Sequence, residues 1–414
     1  LSFSFLLRVF RVGSLESKTE GVEPMSNQSF RALGVCPRLT EALAARGIEH
    51  PFRIQELVLP DAFAGRDVLA KAPTGSGKTL AFALPLVERT AAGGRTPAAL
   101  VLVPTRELAV QVAEECKTLA GRRGLRAAAV FGGVPVAAQA KRARGAEILI
   151  ATPGRLQDLV ERRLVSLEHV RILVLDEADR MLDLGFRPQV ERIVRRLSPS
   201  RQTMLFSATL DGEVGELARS FTRNPSRFEA SASSHGAPGE VEHRFVSVTA
   251  DDKVERLVEE LEAKRDLALV FVRTKRGADR LVRRLERHGV SAAAMHGDLS
   301  QDARTRALER FRSGKVKTLV ATDVAARGLD LDDITHVINF DPPDDHKGYV
   351  HRIGRTARAG RNGSGITFVL PEQRIDVSHV ATRLGHREQF TRAGIRAAPP
   401  RRVYTSRRTR RSRW

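Results

Sequence analysis

The run Ala72-Pro73-Thr74-Gly75-Ser76-Gly77-Lys78-Thr79 has the residue types needed to hold a polyphosphate. Gly75 and Gly77 let the backbone turn tightly enough to aim N–H groups at phosphate oxygens, and a helix starting just after them adds favourable partial charge. Lys78 can reach the β- and γ-phosphates, and the Thr79 hydroxyl is a candidate magnesium ligand. The acids come from Asp176-Glu177-Ala178-Asp179, which follows the aliphatic run Ile172–Leu175 and so sits at the carboxyl edge of a sheet, where open α/β folds bind ligands. Asp176 is the candidate for a hydrated magnesium ion and Glu177 for the attacking water, because phosphoryl transfer needs positioning and charge compensation above all. Positive charge for the transition state comes from His351-Arg352-Ile353-Gly354-Arg355-Thr356-Ala357-Arg358. On a helix, His351, Arg355 and Arg358 would share one face, and the two arginines would suit a γ-phosphate as arginine fingers. A glycine turn, helix-capping acids and a solvated basic face are the plainer readings of each run alone.

Those residues need a scaffold that presents strand ends together. From about residue 66, short aliphatic runs alternate with longer helix-like segments. The expected strands are Asp67–Lys71, Ala99–Val103, Ala146–Ala151, Ile172–Leu175 and Thr203–Phe206. Helical stretches such as Arg106–Ala120 and Gln189–Leu197 separate them. Such alternation predicts a parallel sheet covered on both faces. Ala230–Glu240 is rich in Ser, Gly and Pro and reads as a linker, after which the rhythm restarts. The second set is Leu267–Val272, Ala292–Met295, Lys317–Ala321, His336–Phe340 and Gly365–Leu370, with helices expected at Arg276–His288 and Asp302–Ser313. The expected architecture is therefore α/β, with two successive parallel-sheet domains and a cleft between them.

The chain has 414 residues, 42% hydrophobic and 29% charged, which excludes a collagen-like or largely disordered chain. No apolar run approaches the ~18 residues of a membrane span, so no membrane partner is expected. Cys36 and Cys116 have no metal-like spacing, and a reducing, cytoplasmic setting is the expectation. Lys and Arg outnumber Asp and Glu by 69 to 49, a net charge of +20, which points to a polyanion such as nucleic acid. With only 18 Phe, 2 Tyr and 1 Trp, phosphate gripping is favoured over stacking on many bases. Arg401–Trp414 holds seven arginines in 14 residues and no acid, and reads as a solvated tail that adds nonspecific nucleic-acid affinity. The first Met is Met25, so the biological start is expected there or at a non-ATG codon for Leu1. Leu1–Phe10 has no basic leader and is not expected to be a signal peptide.

From about Phe30 to Leu370 the chain resembles the DEAD-box ATP-dependent RNA helicases of bacterial type. The pieces occur in the family's order: the loop at 72–79, Pro104-Thr105-Arg106-Glu107-Leu108, Gly132-Gly133, Thr152-Pro153-Gly154-Arg155, Asp176-Glu177-Ala178-Asp179 and Ser207-Ala208-Thr209. In the second half come Gln301 with Arg304, Ala321-Thr322-Asp323-Val324-Ala325-Ala326-Arg327-Gly328-Leu329-Asp330, and His351–Arg358. The resemblance implies two tandem RecA-like domains that close on ATP, magnesium and RNA. It divides the chain into an N-terminal extension at 1–24, an ATP-binding domain at 25–230, a linker at 231–240, a C-terminal helicase domain at 241–380 and a basic tail at 381–414.

By similarity, Lys78, Asp176, Glu177, Arg355 and Arg358 are expected to carry catalysis, with Thr79 and Asp176 at the metal. ATP contacts are expected from Phe30, Ile48, Gln55, residues 72–79 and Asp330, the last facing the ribose. Gln55 would read the adenine edge through its amide. Two positions depart from the family here: Ile48 stands where an aromatic usually stacks on the base, and Phe52 where Thr or Ser is usual. RNA-backbone contacts are implied for Pro104, Thr105, Arg106, Gly133, Thr152, Gly154 and Arg155 in the first domain, and for Arg304 and Thr322 in the second. Coupling of hydrolysis to unwinding is implied for Asp179, Ser207, Thr209 and His351. The implied activity is RNA-stimulated ATP hydrolysis with local unwinding of short duplexes or remodelling of RNA–protein complexes, ribosomal or mRNA-decay assemblies among them. A DNA helicase or translocase and an ATP-gated RNA clamp are the competing readings.

Overall fold

In Ile172–Leu175 every side chain is buried, with Ile172 and Val174 in one core and Leu173 and Leu175 in another. A strand covered on both faces accommodates such a run, because its side chains alternate with period two. The computed structural model describes residues 28–73, 75–230, 240–263, 266–326, 334–357 and 361–395, and these build two sheets.

The first sheet comprises β1 (Val68–Lys71), β2 (Ala99–Leu102), β3 (Ala127–Val130), β4 (Ile148–Ala151), β5 (Ile172–Leu175), β6 (Gln202–Ser207) and β7 (Ser226–Glu229), in the order β3-β4-β2-β5-β6-β1-β7. The second comprises β8 (Val241–Ser247), β9 (Leu267–Phe271), β10 (Ala292–Met295), β11 (Thr318–Ala321), β12 (Ile334–Asn339) and β13 (Gly363–Val369), in the order β10-β11-β9-β12-β13-β8. Every pairing is parallel. Helices cover both faces: Leu269 and Phe271 of β9 enter one core of the second sheet, Ala268 and Val270 the other.

All ten expected strands exist, Ile172–Leu175 and Ala292–Met295 with the expected ends and the others with ends displaced by no more than two residues. Three others, β3, β7 and β8, were not anticipated, and each lies at a sheet edge. Their burial alternates instead of running unbroken, so a search for continuous apolar runs passes over them.

Two other expectations change. The division at residue 380 falls inside the helix Arg374–Arg383, and a further helix, Arg387–Arg392, carries Phe390 into the core beside Phe245 and Tyr349. The folded second domain therefore continues to Ile395, which is also buried. The helix His346–Ile353 stops before Arg355, so His351 and Arg355 do not share a helical face. Gly354 caps that helix, and Ala357 takes a left-handed φ of 56°, incompatible with helix continuation.

Residues 1–27, the linker at 231–239 and the Arg401–Trp414 run lie outside the described residues, as do Thr74, Asp330 and Arg358. Among the described residues no helix is long and apolar enough to cross a membrane.

Candidate functional site

Parallel winding sends each first-sheet strand out at the same edge, and the chemically equipped runs are the loops that follow them. The glycine loop follows β1, Pro104–Arg106 follows β2, Gly132-Gly133 follows β3, Thr152–Arg155 follows β4, the acids follow β5 and Thr209 lies just beyond β6.

The loop after β1 ends in Gly77, whose φ of 83° is left-handed, and the helix Lys78–Arg89 begins directly after it. A Cβ on Gly77 would lie 2.6 Å from Gln55 Nε2 and 2.7 Å from Phe52 Cδ2, so both the conformation and the neighbours demand glycine. Lys78 is buried, and its Nζ donates to the Ala72 carbonyl at 2.8 Å, while the Ser76 hydroxyl donates to the Pro73 carbonyl at 2.8 Å. Thr79 is half-buried on the first turn of that helix.

Asp176 is 3% exposed, and burial pushes its carboxyl up to about 7, a rise opposed mainly by the Lys78 ammonium and reinforced by Glu177. Its Oδ1 accepts from the Glu177 N–H at 3.0 Å. Glu177 has a φ of 52°, a left-handed conformation that costs a non-glycine residue ~1–3 kcal/mol and is concentrated at functional sites. Its carboxylate lies 3.4 Å from the buried Arg180 guanidinium. Arg180 was absent from the expected site, although it stands one position beyond the acids.

Asp179 joins this edge to the loop after β6. Its N–H donates to Ser207 Oγ at 3.2 Å, and its Oδ2 accepts from the Ala208 N–H at 3.1 Å. The Thr209 N–H donates to the same Ser207 Oγ at 3.3 Å. Asp179, Ser207 and Thr209 thus form one hydrogen-bonded group, while His351 lies in the second domain among Phe271, Asp323, Arg352 and Arg355.

The segment expected to recognise adenine, residues 30–55, packs against the phosphate loop through its buried side chains. Phe30 is 1% exposed and belongs to the first core, so it supports the segment from behind. Gln55 is fully buried: its Nε2 donates to the Gly77 carbonyl at 2.9 Å and its Oε1 accepts from the Phe52 N–H at 2.9 Å. The amide is engaged with the phosphate loop. Ile48 is partly buried against the same core.

Among the residues expected at a nucleic-acid backbone, Gly133 and Gly154 are exposed, Arg106 and Arg155 half-buried, and Pro104, Thr105 and Thr152 buried. Gly133 has a φ of 84° with the Arg106 guanidinium packed where a Cβ would stand. The Thr105 hydroxyl accepts from the Leu108 N–H at 3.2 Å, so that side chain is a helix cap. Arg155 Nη1 donates to the Val134 carbonyl at 2.9 Å and to Gln139 Oε1 at 2.6 Å, and burial lowers its pKa from the ordinary arginine value. In the second domain Thr322 is buried, its carbonyl accepting from the N–H groups of Ala325 and Ala326 at 3.0 and 2.9 Å. Arg304, expected at RNA, is also buried, with Nη2 at 2.7 Å from Glu107 of the first domain. That contact is an ion pair without hydrogen-bond alignment.

Arg355 is 4% exposed, its Nε donating to the His351 carbonyl at 3.4 Å. Beside it Arg352, which the expected site omitted, forms a two-pronged pair with Asp323 at 2.6 and 2.7 Å and also donates to Asn339 Oδ1 and the Asp341 carbonyl. Its plane lies over Phe271, 4.9 Å from the ring centroid. This fixes the helix carrying His351 against the loop after β11.

Sheet topology and the placement of these loops define a tandem nucleotide-dependent helicase fold, and comparison with known proteins agrees. Residues 52–217 match the DEAD/DEAH box helicases and residues 252–360 the helicase conserved C-terminal domain. The DEAD-box ATP-dependent RNA helicase CshA of Geobacillus kaustophilus is 39% identical over 354 residues, covering 85% of this chain and 76% of that protein. The DEAD-box ATP-dependent RNA helicase 30 of Arabidopsis thaliana is 44% identical over 353 residues, covering 83% of this chain. The chain spans 60% of the length of that plant relative. The structure of S. cerevisiae Dbp5 bound to RNA and ADP BeF3 superposes with a TM-score of 0.78 at 32% identity, covering 86% of this chain and 94% of the other. The chain belongs to the DEAD-box ATP-dependent RNA helicase family.

Proposed function

We propose that this chain is an RNA-stimulated ATPase that uses ATP hydrolysis to separate short RNA duplexes locally or to remodel RNA–protein complexes. The observation that carries the reading is the buried Asp176 beside Lys78 at the strand edge where the phosphate loop ends. A carboxylate held in so dry a place is driven toward its neutral form unless a cation joins it. Together with the Thr79 hydroxyl it fits a magnesium ion that keeps most of its ligands from phosphates and water, which needs no cluster of acids. Thr79 and Asp176 would hold that ion, which supplies charge compensation to the β- and γ-phosphate oxygens.

The chain's own groups do the rest. Residues 72–79 cradle the phosphates with backbone N–H groups, and Lys78 exchanges the Ala72 carbonyl for phosphate oxygen. Glu177 orients and polarises the attacking water, with Arg180 holding its carboxylate. Arg355 and Arg358 complete the charge from the second domain, so hydrolysis depends on domain closure. Ile48 packs on the adenine as an aliphatic surface, with Gln55 and Asp330 contributing to nucleotide recognition. Asp179, Ser207, Thr209 and His351 carry closure to the nucleic-acid face. There Gly133 and Gly154 admit close approach of a phosphate backbone, Arg106 and Arg155 supply charge, and Pro104, Thr105, Thr152 and Thr322 act through their main chain. Arg304 acts through Glu107. These contacts take the sugar-phosphate backbone and leave base identity unread. RNA of ribosomal or mRNA-decay assemblies is the proposed substrate class. A cytoplasmic setting is consistent with Cys36 and Cys116 as free thiols.

The test is steady-state ATP hydrolysis without nucleic acid, with single-stranded RNA and with matching DNA, using Glu177→Gln as the control. Strong stimulation by RNA alone, reduced at least ~100-fold in the variant, is the expected result. Equal stimulation by DNA would favour a DNA translocase, and RNA-stimulated hydrolysis with no strand release an ATP-gated clamp.

A further inference from the structure

The helix Lys275–Arg287 begins directly after β9, with the Thr274 hydroxyl accepting from the Gly277 N–H at 3.0 Å as its cap. Its inward face is apolar: Ala278, Leu281 and Leu285 are buried. Opposite them Arg276, Arg280, Arg283 and Arg287 are all exposed. At ~100° per residue these four fall within an arc of about 60°, one straight stripe of guanidinium groups. The stripe is about 16 Å long, with a mean step of about 5 Å between neighbours.

Among the described residues Arg280, Arg283 and Arg287 are in no ion pair, while at the first end of the stripe Asp298, paired with Lys275 at 2.6 Å, also interacts electrostatically with Arg276. The helix's two acids lie to one side of the stripe. Asp279 is already engaged, accepting from His296 Nε2 at 2.8 Å, and Glu286 is exposed. The adjoining helix Lys253–Glu262 turns Glu255, Glu259 and Glu262 to solvent, and its ion pairs run to Arg244, to its own Arg256 and to Asp341. Unpaired like charges along one face repel each other, and a partner carrying regularly spaced negative charge relieves that repulsion.

The stripe's position selects the partner. Its first end lies at the carboxyl edge of the second sheet, where β10, β11 and β9 are neighbours and where Thr322 and the helix bearing Arg304 also begin. From there the helix runs back toward the opposite edge of the sheet. We infer that this face is a second phosphate track, on which RNA leaving the interdomain cleft is held by Arg276, Arg280, Arg283 and Arg287. The inference rests on the reading of the cleft as an RNA site. The track takes single-stranded RNA flanking the bound segment, through its phosphates alone, since the face offers no aromatic platform.

The experiment compares the full chain with the triple variant Arg280→Gln, Arg283→Gln, Arg287→Gln, which spares the arginine nearest the cleft. Gln has nearly the helix propensity of Arg, and all three positions are exposed, so folding is retained. Oligouridine probes of about 6 and about 30 nucleotides are titrated over a range of salt, the short one sized to the cleft. The expected result is that the slope of log affinity against log salt for the long probe shrinks by about 2, each lost phosphate contact being worth ~0.7. Short-probe affinity and hydrolysis at saturating short probe stay unchanged. An unaltered long-probe slope overturns the inference and leaves the stripe to an acidic protein. Equal losses on both probes also overturn it, by assigning these arginines to the cleft. Failure of short RNA to stimulate the wild-type chain would instead overturn the proposed function, and the long-probe slopes would still decide the track.

Discussion

Arg304 and Glu107 meet at 2.7 Å, the first from the helix Gln301–Arg312 of the second domain and the second from the helix Arg106–Gly121 of the first. Both are buried, and burial lowers the Arg304 pKa from its ordinary value while Glu107 opposes that shift. The pair bridges the two domains. Removing one member leaves the other buried and unpaired, a cost of ~2–5 kcal/mol to the arrangement in which the two helices meet. Arg304→Gln and Glu107→Gln should each raise the RNA concentration for half-maximal ATPase by tenfold or more, with ATP binding in the absence of RNA unchanged. Steady-state kinetics measure this, and partial recovery in the exchanged pair Glu107→Arg with Arg304→Glu would tie the effect to their contact.

Gln55 joins the adenine segment to the phosphate loop by holding the Gly77 carbonyl and the Phe52 N–H together. Gln55→Ala leaves two buried main-chain groups without partners, at ~1–3 kcal/mol each. The ATP concentration needed for half-maximal hydrolysis should rise at least tenfold, and a titration with a fluorescent ATP analogue should show the same loss in binding. Gln55→Glu, which sets a carboxylate oxygen against the Gly77 carbonyl in a fully buried place, should lose at least as much.

Arg352 carries no expected catalytic role, yet it binds Asp323 with both prongs and reaches Asn339 and Asp341 as well. A lysine cannot reproduce that planar fork. Arg352→Lys should destabilise the second domain by ~2 kcal/mol or more, seen as a lower urea midpoint, and should lower RNA-stimulated turnover because the loop after β11 loses its anchor.

The stacked pair His243 and His386, with ring centroids 3.8 Å apart, predicts a pH dependence. Burial and the nearby His386 push the His243 pKa down to about 4, and its Nδ1 shares a hydrogen bond with the Tyr349 hydroxyl at 2.9 Å. Because the folded pKa lies below the unfolded value, the unfolded chain binds more protons between them. Stability from this group is complete above about pH 6.5 and declines as pH falls toward 4. Urea midpoints measured down this range should therefore fall less steeply in His243→Phe, which keeps a ring for the stack and removes the titrating nitrogen.

Much of this molecule was legible in the order of its residues. Inner strands such as β5 and β9 are aliphatic throughout because both faces are covered, and the loops after them carry glycines, acids and hydroxyls at spacings that only a shared strand edge makes useful. Local chemistry of that kind is written in consecutive residues. The edge strands β3, β7 and β8 were less legible because half of each meets solvent or a single layer, which weakens the apolar signal. The tertiary structure alone decided which polar groups use each other up. Gln55 meets the Gly77 carbonyl, Thr105 caps its own helix, and Arg304 meets the Glu107 carboxylate. These are contacts between residues distant in sequence or between competing local partners, so their outcome depends on burial and approach. Likewise the capping of the helix at Gly354 separated Arg355 from the face of His351. Periodicity could name the arginines of the second domain, and packing assigned Arg352 to Asp323 and left Arg276, Arg280, Arg283 and Arg287 facing water.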